Sequence, residues 1–104
     1  MKVYVTVSNL SNIINIFADD EANTITLNGK AIDYNAVDFV SRIALITFNW
    51  PTKNINNNVI DGEQYEIRLI ADNGQERKIV GRNSFPSNYG AFSKLISEVE
   101  NYGY

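Results

Sequence analysis

Carboxylates are the side chains whose type and spacing come closest to a site for chemistry in this chain. Asp19, Asp20 and Glu21 follow one another, and their oxygens are the ligands that a hard divalent cation prefers. An EF-hand, however, needs ligands at alternating positions, a central glycine and a final Glu, and this stretch has no such pattern. We therefore interpret these three residues as a solvated hairpin loop.

Asp61-Gly62-Glu63 is a second acidic group, with Glu66 close behind it. Two carboxyls on either side of a scissile bond are what glycosidases use, but Asp and Gly before a strand are also ordinary turn residues, and we favour a turn. The chain has no His and no Cys, which excludes Ser-His-Asp and Cys-His catalysis, Cys-ligated zinc and disulfides. We expect no catalytic, cofactor-binding or metal site.

Arg77, Lys78 and Arg82 are cations that could follow a phosphate backbone, and Tyr65 and Phe85 are nearby rings on which bases could stack. Alternation along a strand places Arg77 and Lys78 on opposite faces, which divides the patch. The formal net charge is -3 and the sequence pI is about 4.8, whereas a non-specific nucleic-acid binder needs a basic surface. We expect no direct non-specific binding to nucleic acid.

The loop from Gly81 to Pro86 has features of its own. It lacks the spacing and the Lys of a phosphate-binding Walker loop. Glycine permits the exit from a strand, proline fixes the approach to the next element, and Ser87 can cap a helix. A structural role accounts for these residues. The alternative is an exposed recognition loop in which Arg82, Asn83 and Phe85 contact a partner.

The elements that would position these residues begin with a strand. Lys2 to Val7 alternates strictly between polar and apolar residues, as a half-buried strand does. Ile13 to Phe17, Thr24 to Leu27 and the residues after Asn28-Gly29 are further short strands separated by turn residues. The first third of the chain is therefore predicted to be an antiparallel meander of three or four strands.

From Asn35 the apolar spacing becomes helical, with Asn35 as the N-cap and Pro51 forcing an end near Asn49. The predicted apolar stripe consists of Val37, Val40, Ala44 and Phe48, with Phe39, Ile43 and Ile46 beside them. Residues 52–58 are rich in Asn and are predicted to be an exposed, irregular loop.

A hairpin and a second helix complete the chain. Tyr65 to Gly81 is predicted to form two strands around an Asn73-Gly74 turn, with opposite charges paired across the strands. Helical spacing returns from Ser87 to Tyr102, and Gly103 suits a C-cap. We predict one α+β domain over residues 1–104, with two helices packed on one face of a mostly antiparallel sheet. The sheet combines an N-terminal meander with a C-terminal hairpin, in the order βββ(β)-α-ββ-α.

The N-terminal residues alternate and lack the apolar core and cleavage site of a signal peptide. No apolar run approaches the roughly 20 residues that span a bilayer. We expect a cytoplasmic protein that does not bind membranes.

We expect a small, acidic, non-enzymatic protein that binds another protein with a basic surface and inhibits or neutralises it. Examples of this class are phage inhibitors of bacterial defence, such as anti-CRISPR proteins, and immunity proteins for toxins. The alternative is an assembly subunit that self-associates through an edge strand, for which Lys2 to Val7 is the candidate. Trp50, Tyr102 and Tyr104 are the aromatic residues predicted to be most exposed. The predicted partner-binding residues are Asp19, Asp20, Glu21, Trp50, Arg82, Asn83 and Phe85.

Overall fold

A computed structural model of the chain describes residues 1–9, 11–56 and 62–103. In chain order, its elements are β1 (Lys2–Ser8), β2 (Ile13–Asp19), β3 (Thr24–Leu27), β4 (Lys30–Ala31), α1 (Ala36–Ile46), β5 (Lys53–Ile55), β6 (Gln64–Ile70), β7 (Glu76–Arg82) and α2 (Tyr89–Tyr102). The predicted α+β fold, with a mostly antiparallel sheet and two helices, is confirmed. No helix in these described ranges has the length and apolar character needed to cross a membrane.

The described strands form one sheet in the order β4-β3-β2-β1-β6-β7-β5, and every neighbouring pair is antiparallel except β5 with β7. The β6–β7 hairpin closes through the predicted turn, in which the Gly74 N–H donates to the Ala71 carbonyl at 2.9 Å. Gly74 has a φ of 88°, a left-handed conformation that glycine adopts without steric cost.

Alternate strand residues build the core on one face of the sheet, because successive side chains of a strand point to opposite faces. The buried strand residues on this face are Val3, Val5, Val7, Ile16, Ala18, Ile25, Leu27, Tyr65, Ile67, Leu69 and Ile79. The buried residues of the helices that complete the core are Ala36, Phe39, Val40, Ile43, Phe92, Leu95, Ile96 and Val99. The opposite face of the sheet, which we call the outer face, is not covered by either helix.

Strand β1 lies in the middle of the sheet, between β2 and β6, so the prediction that Lys2 to Val7 is an edge strand is wrong. The strict alternation of its residues indicates only that one of its two faces is buried. The strands at the two edges of the described sheet are β4, with two residues, and β5, with three. Edges this short offer few unpaired backbone groups to another chain.

Helix α1 buries part of the predicted stripe, because Phe39, Val40 and Ile43 are buried as predicted. Asn35 is the N-cap as predicted, and its side chain accepts a hydrogen bond from the Asp38 N–H at 2.9 Å. Val37 and Phe48, however, are 51% and 75% exposed. The helix has apolar side chains on more than one side, and packing on the sheet selects the side that carries Phe39. Because α1 ends at Ile46, helical spacing no longer applies to Phe48.

Part of the predicted Asn-rich loop is a strand. Lys53–Ile55 forms β5 and pairs in parallel with residues 80–82 of β7. The Val80 N–H donates to the Thr52 carbonyl and the Asn56 N–H to the Arg82 carbonyl, both at 2.9 Å. Residues 57 and 58 of the predicted loop, and Asp61 of the second acidic group, lie outside the described residues.

Candidate protein-binding site

Residues 82–88, which we call the exit loop, connect the end of β7 to α2. Asn83 begins the turn away from the sheet with a φ of 55°, a left-handed conformation that Asn tolerates better than most residues. The hydroxyl of Tyr65 donates a hydrogen bond to the Ser84 carbonyl at 2.7 Å. A buried side chain of β6 therefore fixes the middle of the exit loop.

The exit loop stands on a cluster of aromatic rings. The ring of Phe85 stacks on Tyr65 with centroids 6.1 Å apart, and it contacts Tyr89 with centroids 4.6 Å apart. Below them, Trp50 stacks on Tyr89 at 5.9 Å and meets the edge of Phe92 at 5.6 Å. Phe85 is 48% exposed, whereas Trp50 is 4% exposed. The cluster thus presents one ring to solvent on rings that are buried or, in the case of Tyr89, partly buried.

Side-chain hydrogen bonds tie the cluster to the end of α1. Asn88 accepts a hydrogen bond from the indole N–H of Trp50 and donates one to the Ile46 carbonyl at 2.7 Å. Arg77 donates to the carbonyls of Thr47, at 2.8 Å, and Trp50. Asn88, rather than the predicted Ser87, is the N-cap residue of α2, but its side chain makes no capping bond because it faces Trp50.

The tyrosines of the cluster are held in their neutral form. Burial raises the pKa of Tyr65 to about 12. Burial, and then a hydrogen bond that its hydroxyl donates to Glu63, also raise the pKa of Tyr89.

In the part of the chain that the structure describes, no group of three His, Cys, Asp or Glu residues could hold a metal ion. The arrangement presents one positioned, half-exposed ring at the end of the sheet.

The structure separates residues 19–21, which we call the acidic loop, from the exit loop. Asp19 lies opposite Lys2 at one end of β1, whereas the exit loop follows Arg82 at the other end of the sheet. The carboxylate of Asp19 accepts hydrogen bonds from the N–H groups of Glu21 and Ala22, at 3.0 and 3.3 Å. These two groups of predicted contact residues therefore do not form one patch.

Asp20 is also engaged within the protein. Its carboxylate lies 2.6 Å from the amino group of Met1, which is 2.7 Å from the carboxylate of Asp72 as well. Of the acidic loop, Glu21 is the residue with an exposed side chain. A structural role thus accounts for Asp19 and Asp20.

The expectation that Trp50 is exposed is wrong, because its ring lies under the exit loop and its polar atoms bond to Asn88 and Arg77. Tyr102 is 61% exposed, as expected, and Tyr104 lies outside the described residues. Sequence reasoning missed the roles of Asn88 and Tyr89. The aromatic residues at 85 and 89, four positions apart where a helix begins, were the available signal.

No protein-family model matches the chain, and no curated protein and no solved structure matches it either. The function is therefore argued from the geometry of the site.

Proposed function

We propose that this chain is a non-enzymatic protein that binds another protein through the exit loop and thereby inhibits or neutralises it. The observation that carries the proposal is the half-exposed ring of Phe85 on a buried aromatic base. Binding energy in protein interfaces is concentrated in a few large side chains near the centre of the contact, and aromatic rings and Arg are prominent among the residues enriched there.

The rigidity of the exit loop supports this function. Binding costs free energy when loops and side chains must be ordered, so a loop that is already held in place loses less on association. Ser84 is bonded to Tyr65, Asn88 is bonded to Trp50 and Ile46, and the ring of Phe85 packs between Tyr65 and Tyr89. Phe85 is therefore presented in one position before any partner arrives.

Arg82 and Asn83 precede Phe85 in the exit loop and are the polar candidates for the contact. The guanidinium of Arg82 is exposed, and Asn83 is partly exposed at the turn. A guanidinium has five N–H donors in a planar fork and can form paired hydrogen bonds with a partner carboxylate or carbonyl. The proposed contact thus combines an apolar anchor with a directional polar group.

A cytoplasmic inhibitor of a bacterial defence protein, as phages encode, or an immunity protein for a toxin fits this mode of action. The basic partner surface remains a prediction that rests on the acidic composition of the chain, with 12 Asp and Glu against 9 Lys and Arg. Complementary charge would speed the encounter, while the exit loop would hold the complex.

The experiment compares three tagged baits in lysate of the producing cells: the unmodified protein, Phe85→Ala and Phe48→Ala. Phe48 is the matched control because it is a phenylalanine that is 75% exposed and lies outside the exit loop. We expect a stoichiometric partner on the unmodified and Phe48→Ala baits and its loss from Phe85→Ala. Capture of the same partner by all three folded baits would reject the exit loop as the contact.

A further inference from the structure

The outer face of the sheet carries a charge pattern that the net charge of the chain conceals. The strand positions that point away from the helices hold five of the nine Lys and Arg residues but only three of the twelve Asp and Glu residues. The five cations on this face are Lys2, Lys53, Arg68, Lys78 and Arg82, and the three carboxylates are Asp19, Glu66 and Glu76. An acidic molecule thus has one cationic side.

Ion pairs within the face use two of these cations. Lys78 lies 3.1 Å from Glu66, and Arg68 lies 2.6 Å from Glu76. The third carboxylate, Asp19, accepts backbone hydrogen bonds in its own turn. Lys2, Lys53 and Arg82 make no ion pair with any described residue. Three exposed cations are therefore available to an external anion.

The face also has a hollow beside Arg82. It has a volume of about 250 Å³, and its lining includes Thr6, Ser8, Gln64 and Arg82 together with Glu66, whose carboxylate is paired with Lys78. Ser8, Gln64 and Arg82 are direct neighbours on β1, β6 and β7, so a hydroxyl, an amide and a guanidinium lie in one row across the sheet. These groups can all donate hydrogen bonds to a carboxylate.

We propose that the outer face binds an acidic segment of a partner protein, with one carboxylate in the hollow beside Arg82 and others at Lys53 and Lys2. The inference rests on charge complementarity between such a segment and the three cations that form no ion pair with a described residue. It shares Arg82 with the exit loop but does not depend on Phe85, which lies outside the face. The outer face and the ring of Phe85 are then two docking surfaces that meet at Arg82.

A nucleic acid fits this face less well than an acidic protein segment. A nucleic-acid strand carries a charge at every phosphate and would bring some phosphates against Glu66 and Glu76, whereas a protein can place carboxylates only where they find a cation. Base stacking needs accessible rings. The ring of Tyr4, at the centre of the face, already packs on Phe17 with centroids 4.6 Å apart and lies under the guanidinium of Arg68, 5.1 Å from its centroid.

The test measures fluorescence anisotropy with three labelled probes at low salt: a short peptide of alternating Glu and Ser, the same peptide with Gln for Glu, and single-stranded oligo-dT. The variant is Lys53→Glu with Arg82→Glu. The control is Lys30→Glu with Lys94→Glu, which changes the net charge equally at two exposed lysines off the outer face. Circular dichroism verifies that each variant is folded.

We expect the Glu peptide to bind and the Gln peptide not to bind. The variant with Lys53→Glu and Arg82→Glu should bind the Glu peptide about tenfold more weakly, as the loss of two exposed ion pairs predicts. Phe85→Ala should leave this binding unchanged, which separates the inference from the proposed function. Equal weakening by the control pair, tighter binding of oligo-dT than of the Glu peptide, or no binding of the Glu peptide would each overturn the proposal.

Discussion

The ring of Tyr65 lies directly against the backbone of Gly81, where an added Cβ atom would come within 1.8 Å of the ring. The two residues are cross-strand partners in β6 and β7. Because position 81 has no side chain, the ring can lie across the neighbouring strand, and its hydroxyl reaches the Ser84 carbonyl. The position of the exit loop therefore depends on a glycine in a strand.

Replacing that glycine should destabilise the protein. In Gly81→Ala the new methyl group must displace Tyr65, and overpacking of this kind costs about 1–3 kcal/mol. Urea denaturation measures the loss. Gly90→Ala is the control, because Gly90 lies in α2 with no atom within 4 Å of an added Cβ, and Ala should raise the free energy of unfolding by up to about 1 kcal/mol. Similar effects of the two substitutions would refute the close approach of Tyr65 to Gly81.

The raised pKa of Tyr65 predicts a loss of stability in alkali. The pKa of Tyr65 is about 12 in the folded protein, against a reference value of 10.0. The contribution of the buried hydroxyl to the free energy of unfolding is therefore complete below pH 10 and declines as the pH rises toward 12. Tyr89 acts in the same direction, because burial and Glu63 raise its pKa too. We expect the free energy of unfolding, measured by urea denaturation, to fall over this range, and to fall less steeply in Tyr65→Phe. An unchanged slope in that variant would argue against a buried Tyr65 hydroxyl.

Two exposed apolar residues, one in α1 and one in the turn after it, provide a third prediction. Leu45 is 79% exposed and Phe48 is 75% exposed, so Leu45→Ser and Phe48→Ser should each change the free energy of unfolding by less than about 0.5 kcal/mol. Phe39 is fully buried, and Phe39→Ala should cost about 3–5 kcal/mol. Chemical denaturation of the three variants tests which side of α1 faces the sheet. A large loss in Phe48→Ser would mean that the ring of Phe48 is buried, as the sequence predicts, and would contradict its position in the structure.

Much of the fold follows from local patterns. The alternation of Lys2 to Val7 and the Asn73-Gly74 turn each specify a feature within a few residues, and the structure contains both. Strand β5 has no such local signal, because it consists of three residues whose only partner among the described strands is the distant β7. The position of β1 in the sheet is likewise undetermined by its own sequence, since alternation is the same in a central strand and an edge strand.

The candidate site could be predicted only in part for the same reason. Arg82, Asn83 and Phe85 belong to one loop, and its glycine and proline mark it in the sequence. Trp50 appeared exposed because it follows the end of a helix, yet long-range bonds from Arg77 and Asn88 hold it under that loop. Contacts between distant segments decide which aromatic residue is presented and which ones support it.

The central claim, that Phe85 anchors a partner protein, is tested most directly by calorimetric titration of the purified partner with unmodified protein, Phe85→Ala and Phe48→Ala. Truncation of an anchor residue costs about 2 kcal/mol or more of binding free energy, so Phe85→Ala should raise the dissociation constant about thirtyfold or more. Phe48→Ala should bind as the unmodified protein does. A dissociation constant for Phe85→Ala equal to that of the unmodified protein would contradict the claim.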